Sequence, residues 1–373
     1  MNDIGQPPRS GRLVALDALR GITIAGMLVV NTPGTWAHVY SPLLHAEWHG
    51  WTYTDTIFPF FLFVVGVAMV FSFDRRGETN RSPFPHVLRR TIVIFSLGLA
   101  LNIFATLALD RAWLRIPGVL QRIAICYFAA AVIYLFLGKK AVWPAAAALL
   151  IGYWLIMTRI PVPGYGIGRL DVEANLAAHV DQLVLKDHTW KHNPHWDPEG
   201  LLSTLPAVAT TLFGVLAGML LRSERPTESK VVRLLVWGWV GAIVGLVWNE
   251  VFPINKNLWT SSYSVFMAGL ASAALGVCLW ATDLKGWTGW ARPFIWLGSN
   301  ALALFVAADA VAFVLLAVKV GSPSRSLYAA TYQTIFDHFA DPRVGSLLFA
   351  LTYCVLWIAV AGWLYRRRIF IKV

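Results

Sequence analysis

A stretch near the beginning of the chain places groups that can exchange protons directly against an apolar run. In LLHAEWHGWTYTDTIFPFFLF, residues 43–63, the ionisable residues are His45, Glu47, His49 and Asp55. An imidazole with a pKa near ~6.5 can accept a proton at neutral pH, which group transfer to an amine or a hydroxyl requires. Because such groups are costly beside lipid, their presence here favours a functional use.

Three residues form the candidate catalytic group, namely His45, Asn31 and Asp55. Asn31 closes the first apolar block and Asp55 opens the second, so both can approach His45 at one end of a helical bundle. Asn31 could donate its amide N–H to a developing oxyanion, and Asp55 could orient the imidazole and fix its tautomer. The alternative is an interfacial histidine that caps a helix. The density of polar groups around His45 favours the catalytic interpretation.

The histidine spacing also suggests a metal site, which is the weaker interpretation. His45 and His49 are four residues apart, as are His188 and His192, and zinc sites on helices use this spacing. However, HAEWH is not HExxH, and the second pair lies among Trp and Pro residues. We therefore expect no metal.

Charged residues inside apolar blocks are candidates for binding an anionic ligand. Arg122, in IPGVLQRIAICY, has no acidic residue nearby in the sequence and needs a carboxylate or a bound anion. Asp17 and Arg20 fit a local ion pair as well as a ligand site. Arg75 and Arg76 could hold phosphates, although membrane topology also explains them.

The segment NEVFPINKNLWTSS, residues 249–262, combines polar side chains with aromatic ones. Polar donors and acceptors beside aromatic rings are common in sugar-binding sites. The same mixture is also typical of a turn at the membrane interface, where Trp residues form a belt. The candidate substrate-binding residues are Glu47, Trp48, Glu250, Asn255, Lys256 and Asn257.

The elements that position these residues are predicted to be membrane-spanning helices. The chain has 373 residues, of which 57% are hydrophobic and 14% charged, whereas roughly a quarter are charged in soluble proteins. Apolar blocks of about 20 residues can cross a hydrocarbon core of ~30 Å. The sequence therefore predicts an all-α polytopic bundle of about ten transmembrane helices.

The expected spans are 13–35, 54–73, 87–109, 117–137, 141–159, 201–221, 231–250, 261–281, 292–318 and 343–365. Within the ninth span, Asn300 is expected to hydrogen-bond another helix.

The formal net charge of +11 lies mainly in short loops, where it sets membrane orientation and does not indicate nucleic-acid binding. If the N-terminus is placed on the cytoplasmic side, most of the basic loop residues also fall on that side, as the positive-inside rule requires. Both termini are therefore expected to be cytoplasmic. Residues 36–53 and 160–200 then lie outside. We expect one integral domain over 1–373, with 160–200 as a periplasmic insertion. The three cysteines lie in apolar blocks, which favours neither disulfides nor a zinc–thiolate site.

An ordered set of motifs resembles a known family. The stretches are LDALRGITIAGMLVVN, HAEWHGWTYTDTIFPFFLFVVG, IPGVLQRIAICY, DPEGLLSTLP, PINKNLWTSSY, GSNAL and WLYRRRIFIKV, which together cover essentially the whole chain. LDALRG alone is a weak signal, but the ordered set is specific. The chain resembles the transmembrane N-acetyltransferases typified by the lysosomal heparan-α-glucosaminide N-acetyltransferase, which has bacterial relatives that acetylate amino sugars.

The resemblance implies a bundle that uses cytosolic acetyl-CoA to acetylate a glucosamine amine on the opposite side of the membrane. It assigns the catalytic histidine to His45, the asparagine beside it to Asn31, and the aspartate before the FP pair to Asp55. Its LQR arginine is Arg122. Basic residues, namely Arg20, Arg75, Arg76 and Arg122, are expected to bind the CoA phosphates and pantetheine region.

The lysosomal member has a large lumenal N-terminal region that this sequence lacks, which favours a small amino sugar or an oligosaccharide end as the acceptor. The expected setting is a bacterial inner membrane, with a homodimer as a further expectation. Two other functions stay open from the residues, namely a proton-coupled amino-sugar transporter and an O-acetyltransferase of cell-envelope glycans. Acetyl could pass directly from CoA to the acceptor, which we favour, or through an acetylated His45.

Overall fold

The computed structural model describes residues 13–77, 82–192 and 195–371, and the side chains of 74–77, 191, 192 and 195 lie outside this description. The described residues form thirteen α-helices and two small β-ribbons. The helices are α1 Val14–Asn31, α2 Tyr53–Gly77, α3 Phe84–Ala108, α4 Val119–Val132, α5 Val142–Arg159, α6 Leu176–Leu185, α7 Thr204–Arg222, α8 Thr227–Asn249, α9 Ser261–Leu279, α10 Arg292–Ser299, α11 Ala301–Ala317, α12 Leu327–Ile335 and α13 Pro342–Arg366.

Nine helical segments among the described residues are long and apolar enough to cross a membrane. The pair α10 and α11 passes the same test only when taken together. Counting this pair as one span gives ten, so the predicted all-α polytopic bundle is confirmed. The cytoplasmic position of both termini stays a prediction.

The predicted continuous span 292–318 is wrong, because α10 and α11 are bent by 83° relative to each other. Asn300 lies at the break. Its Nδ2 donates to the carbonyl of Ile369 at 3.0 Å, and its Oδ1 accepts from the N–H of Ile371 at 2.8 Å. The expected helix–helix hydrogen bond is therefore replaced by bonds to the extended backbone that follows α13. These bonds pair the Asn300 side-chain amide with two backbone groups of the segment after α13.

Several helices extend beyond the predicted apolar spans. The second helix continues to Gly77 instead of ending at 73, and the eighth starts at Thr227 instead of 231. Hydropathy marks only the part that lies in hydrocarbon, whereas backbone hydrogen bonding continues into the polar interface. α7 differs in the other direction, since it begins at Thr204 instead of 201.

The interior of the bundle is packed through glycines. A Cβ atom at Gly66 of α2 would lie 2.0 Å from the carbonyl oxygen of Thr211 in α7, and one at Gly214 would lie 2.0 Å from that of Phe63. The α2 and α7 backbones are therefore in direct contact, as small residues allow in membrane proteins. This contact places the start of α2, which carries Asp55, beside the start of α7.

The segment 160–200, expected to be a long polar loop, contains local structure. Helix α6 is capped by Asn175, whose side chain accepts from the N–H of Ala178 at 2.8 Å. A ribbon pairs β1 Lys191–His192 with β2 His195–Trp196, and a second pairs β3 Lys319–Val320 with β4 Arg325–Ser326.

We call the end of the bundle where α1 ends and α2 begins the His45 end. The opposite end, where α1 begins, is the Arg20 end. His45 lies in the loop after α1, and Arg20 lies in α1 itself. At a rise of ~1.5 Å per residue, Arg20 is about 16 Å along the helix axis from Asn31, which ends α1 at the His45 end.

Candidate active site

His45 and Asp55 form a dyad at the start of α2. His45 Nδ1 lies 2.6 Å from Asp55 Oδ1. The Asp55 side chain is 1% exposed, whereas that of His45 is 51% exposed. Because an ionised carboxylate only accepts, Nδ1 carries the shared proton and Nε2 is left as the basic nitrogen. The predicted orientation of the imidazole by Asp55 therefore has the required geometry.

Asp55 is held in place by the loop that it organises. Its Oδ2 accepts from the backbone N–H groups of Ala46 at 3.0 Å and Thr52 at 2.9 Å. Its backbone carbonyl accepts from the Tyr263 hydroxyl of α9 at 2.6 Å. The His45 ring is thus fixed through Asp55 to two helices.

The dyad opens into a cavity of ≈ 660 Å³, its open mouth included. Most of the wall is apolar and comes from α1, α2, α4 and α11. The polar and charged side chains of the wall come from distant parts of the sequence, and they include Asn31, His45, Asp55, Glu199 and Lys256. The cavity reaches from His45 to Leu302 in the first turn of α11, close to the break between α10 and α11.

Glu199 and its partners are the part of the site that the sequence did not identify. Arg115 donates through Nε and Nη2 to Asp197, at 2.8 and 2.6 Å, and through Nη2 to Glu199. The Asp197 side chain is fully buried, and that of Glu199 is 4% exposed. Burial opposes ionisation of Glu199, but the charges of Arg115, Lys256 and Arg122 outweigh it and lower the pKa of Glu199.

The ion pairs act on Arg115 in the same sense. Burial would lower the pKa of Arg115, but Asp197 and Glu199 raise it above its usual value. A bidentate arginine–carboxylate pair of this kind fixes both partners in geometry as well as in charge. Glu199 therefore faces the cavity as an immobile carboxylate.

Arg122 lies at the His45 end, in the first turns of α4. It is 1% exposed. Its Nη2 donates to the carbonyl of Gly200 at 2.8 Å and to Ser203 Oγ at 2.5 Å, and its guanidinium lies 5.2 Å from the Trp259 ring centre. It thus holds the turn that follows Glu199. Its predicted role in CoA binding stays a prediction, and Arg122 is not part of the cavity wall.

Of the predicted substrate residues, Lys256 lines the cavity, and the others are not part of its wall. Asn255 is buried, with Oδ1 accepting from the N–H of Leu258 at 2.8 Å and Nδ2 lying 3.3 Å from His49 Nδ1. Trp48 donates to the carbonyl of Leu170 at 2.8 Å. These two residues hold the loops together. Glu47 and Glu250 are exposed, and Asn257 is half-buried.

The predicted donor-binding residues do not all lie together. Arg20 lies at the opposite end of α1, 3.5 Å from Asp17 and 3.3 Å from the carbonyl of Gly298. The side chains of Arg75 and Arg76 lie outside the described part of the chain. Arg20 thus contacts α1 and α10, whereas Arg122 contacts the turn before α7.

The two histidines of the first pair have partners other than a metal, and in the second pair His188 Nδ1 lies 2.7 Å from the carbonyl of Leu114, while the His192 side chain lies outside the described part of the chain. His45 faces Asp55, and His49 faces Asn255, whose amide nitrogen makes His49 Nδ1 an acceptor. Burial lowers the pKa of His49, and the charge of Asp171 works in the opposite direction. Within residues 13–77, 82–192 and 195–371, no three His, Cys, Asp or Glu side chains converge as a metal site.

Comparison with known proteins gives the family. A model described as heparan-alpha-glucosaminide N-acetyltransferase, catalytic, matches residues 12–243, more than half of the chain. The chain belongs to this family. The predicted resemblance is therefore confirmed, and Asn31, His45, Asp55 and Glu199 lie inside the matched part of the heparan-alpha-glucosaminide N-acetyltransferase family model.

Two curated relatives have this name. The heparan-alpha-glucosaminide N-acetyltransferase of Homo sapiens is 27% identical over 98% of this chain and 60% of its own length. That of Mus musculus is 26% identical over 98% of this chain and 61% of its own length. The chain thus spans about three fifths of the length of the curated relatives that it matches.

Proposed function

We propose that this protein is a membrane-embedded acetyltransferase that moves acetyl from acetyl-CoA to the amine of a glucosamine-type sugar. The observation that carries the proposal is the His45–Asp55 dyad, which opens with Asn31 onto a cavity between the helices. Family membership supports the same chemistry. A bacterial inner membrane is the proposed location, and a homodimer stays a prediction.

His45 acts as the general base. Its Nε2 accepts a proton from the amine nitrogen as the new C–N bond forms, and returns it to the CoA sulfur as the C–S bond breaks. Asn31 donates its amide N–H to the oxyanion of the tetrahedral intermediate. Starting from an ammonium, the products are the amide, the CoA thiol and one released proton, so the reaction balances.

The two substrates reach the cavity from opposite ends in this proposal. The acceptor enters at the His45 end, which is extracytoplasmic. The nucleotide of acetyl-CoA binds at the Arg20 end, with Arg20, Arg75 and Arg76 near its phosphates and the pantetheine arm extending towards Leu302. Arg122 contributes by fixing the acceptor side of the cavity, since it holds the turn at Gly200.

Acetyl passes directly between the substrates. Because the cavity joins Asn31 and His45, a base and an oxyanion donor are available once both substrates are bound. An acetylated His45 would instead give ping-pong kinetics. Initial-rate plots at several fixed concentrations of glucosamine distinguish the two routes, since direct transfer gives intersecting lines and the covalent route gives parallel ones.

The decisive experiment uses the full chain in sealed proteoliposomes, with labelled acetyl-CoA on one side and glucosamine on the other. His45→Ala is expected to lower the rate of amide formation about 1,000-fold, as loss of a general base does. His38→Ala, an exposed histidine in the same loop, is the control and keeps wild-type activity. Equal rates for the two variants would contradict the proposal. Ester products, or glucosamine uptake without acetyl-CoA, would instead support the O-acetyltransferase or the transporter.

A further inference from the structure

Two charged side chains in the cavity have hydrogen-bonding capacity that the protein does not use. Glu199 Oε2 is bound by Arg115, whereas Oε1 accepts no hydrogen bond from any described residue. Lys256 Nζ forms neither an ion pair nor a hydrogen bond within the described part of the chain. Both residues line the same cavity as His45.

Glu199 lines the cavity, and its Oε1 is not among the buried side-chain atoms of the described residues that lack a partner, so a ligand donor can replace water there and form a charge-assisted hydrogen bond. Arg115 prevents Glu199 from turning away, since it also binds Asp197 on its other face. The free oxygen therefore has a fixed position, suited to a ligand group that donates a hydrogen bond. Lys256 supplies donors only, so it is suited to an acceptor on the same ligand.

The charges decide what kind of group fits between them. Glu199 and Lys256 are close enough for the lysine charge to act on the carboxyl group. Arg115 already offsets the charge of Glu199, and Lys256 and Arg122 add further positive charge that acts on the same carboxyl group, so these surroundings disfavour a second cation such as a substrate ammonium. A neutral hydroxyl meets no such repulsion and still forms a charge-assisted hydrogen bond.

We infer that Glu199 and Lys256 form a hydroxyl clamp that binds two neighbouring hydroxyl groups of the acceptor sugar ring. One hydroxyl donates to Glu199 Oε1, and the other accepts from Lys256 Nζ. This inference rests on the proposed function, since the clamp orients the ring so that its amine faces His45. Glu199 and Lys256 determine specificity in this arrangement, and Arg115 is a positioning residue.

The clamp predicts that the enzyme distinguishes sugars from simple amines. An acceptor that lacks a clamped hydroxyl leaves Glu199 or Lys256 unpaired, and sites of this kind reject such analogues strongly. Wild-type protein is expected to prefer glucosamine over 3-deoxy- or 4-deoxyglucosamine by about 10- to 100-fold in kcat/KM, the range of one charge-assisted hydrogen bond.

The experiment combines variants with acceptor analogues. Glu199→Gln and Lys256→Met each remove the side-chain group that binds one sugar hydroxyl. For the deoxy analogue that lacks that same hydroxyl, the preference for glucosamine is expected to fall below about 3-fold. The two variants test the two hydroxyl contacts separately, so the clamp can still be tested with one variant if the other fails to fold. Glu173→Gln, an exposed residue of the same loop region, is the matched control and keeps the preference.

Equal losses on glucosamine and on both deoxy analogues would overturn the inference, because the variants would then act through structure or through the amine. Calorimetric binding of the same acceptors, without acetyl-CoA, separates the two proposals. If wild-type protein transfers no acetyl but binds glucosamine with a Glu199-dependent preference, the proposed function fails and the clamp stands. Acetyl transfer with no effect of Glu199→Gln on the preference leaves the function standing and the clamp refuted.

Discussion

The two ends of the helical bundle hold their arginines in different ways. At the His45 end, Arg115 is paired with two buried carboxylates. At the Arg20 end, Arg20 lies 3.5 Å from Asp17, but three other arginines lie over aromatic rings, and Arg366 is 5.8 Å from the ring centre of Trp296. Arg90 lies 4.9 Å from the ring centre of Tyr127, and Arg222 lies 5.8 Å from that of Phe71. Arg122, at the His45 end, lies over the Trp259 ring and donates to the carbonyl of Gly200 instead of to a carboxylate.

The difference lies in the charge that each end presents. A carboxylate cancels the charge of its arginine and fixes its direction, whereas an aromatic ring stabilises the guanidinium and leaves its charge in place. The His45 end is therefore rigid and close to neutral around the cavity, which suits an uncharged sugar ring. The Arg20 end stays positive, which suits the phosphates of the proposed donor.

The largest effect is expected from breaking the carboxylate pairing. Arg115→Met leaves Asp197 and Glu199 buried without a counter-charge, which should lower the free energy of unfolding by about 3–5 kcal/mol. Arg169→Met breaks an exposed pair with Asp171 and should cost less than about 1 kcal/mol. Unfolding in mixed micelles measures both. Similar values for the two variants would mean that Arg115 does not stabilise the His45 end.

The Arg20 end should be sensitive to backbone spacing instead. A Cβ at Gly21 would lie 1.8 Å from the carbonyl oxygen of Phe294, so Gly21→Ala must displace α10 from α1. We expect a loss of about 1–3 kcal/mol in unfolding free energy, as for other overpacked sites. Gly152→Ala has no neighbour within 4 Å and serves as the control. A Gly21→Ala protein as stable as the control would contradict this packing.

An effect that depends on pH should come from Asp181, a carboxyl group of the His45 end to which no described arginine donates a hydrogen bond. Burial raises the pKa of Asp181 to about 7 from an ordinary 3.8, and its Oδ1 accepts from the N–H of Leu201 at 2.8 Å. The folded protein therefore binds a proton that the unfolded chain releases above pH ~4. Stability should fall as the pH rises, by about 2–3 kcal/mol between pH 5 and pH 8.

Asp181→Asn should remove most of this pH dependence, because an amide does not titrate. Melting temperatures measured between pH 5 and pH 8 test the expectation, with Glu173→Gln as an exposed control that keeps the wild-type slope. A wild-type protein that becomes more stable over this range would show that Asp181 is ionised in the folded state.

The sequence predicted what depends on local pattern. The apolar blocks predicted the spans, because burial in lipid requires long apolar helices. The pairing of His45 with Asp55 was predictable, since only ten residues separate them and both lie at the start of one helix. The broken span was not predictable, because the sequence is apolar on both sides of Asn300, whereas the side chain of Asn300 at the break bonds to residues 69 and 71 positions later in the sequence.

Glu199 shows a different limit. It lies in DPEG, which was recognised as part of the family resemblance, but its position beside His45 depends on contacts with Arg115, 84 residues away in the sequence. No periodicity indicates such a contact. The available signal was a second carboxylate two residues after Asp197, within one short turn sequence.

The bonds between Asn300 and the backbone of Ile369 and Ile371 bear on how the protein is made. Translation produces α10 and α11 about seventy residues before the groups that complete their hinge. These two helices cannot reach their final arrangement until α13 has emerged from the ribosome and entered the bilayer. Assembly of this corner of the bundle is therefore one of the last steps of biogenesis.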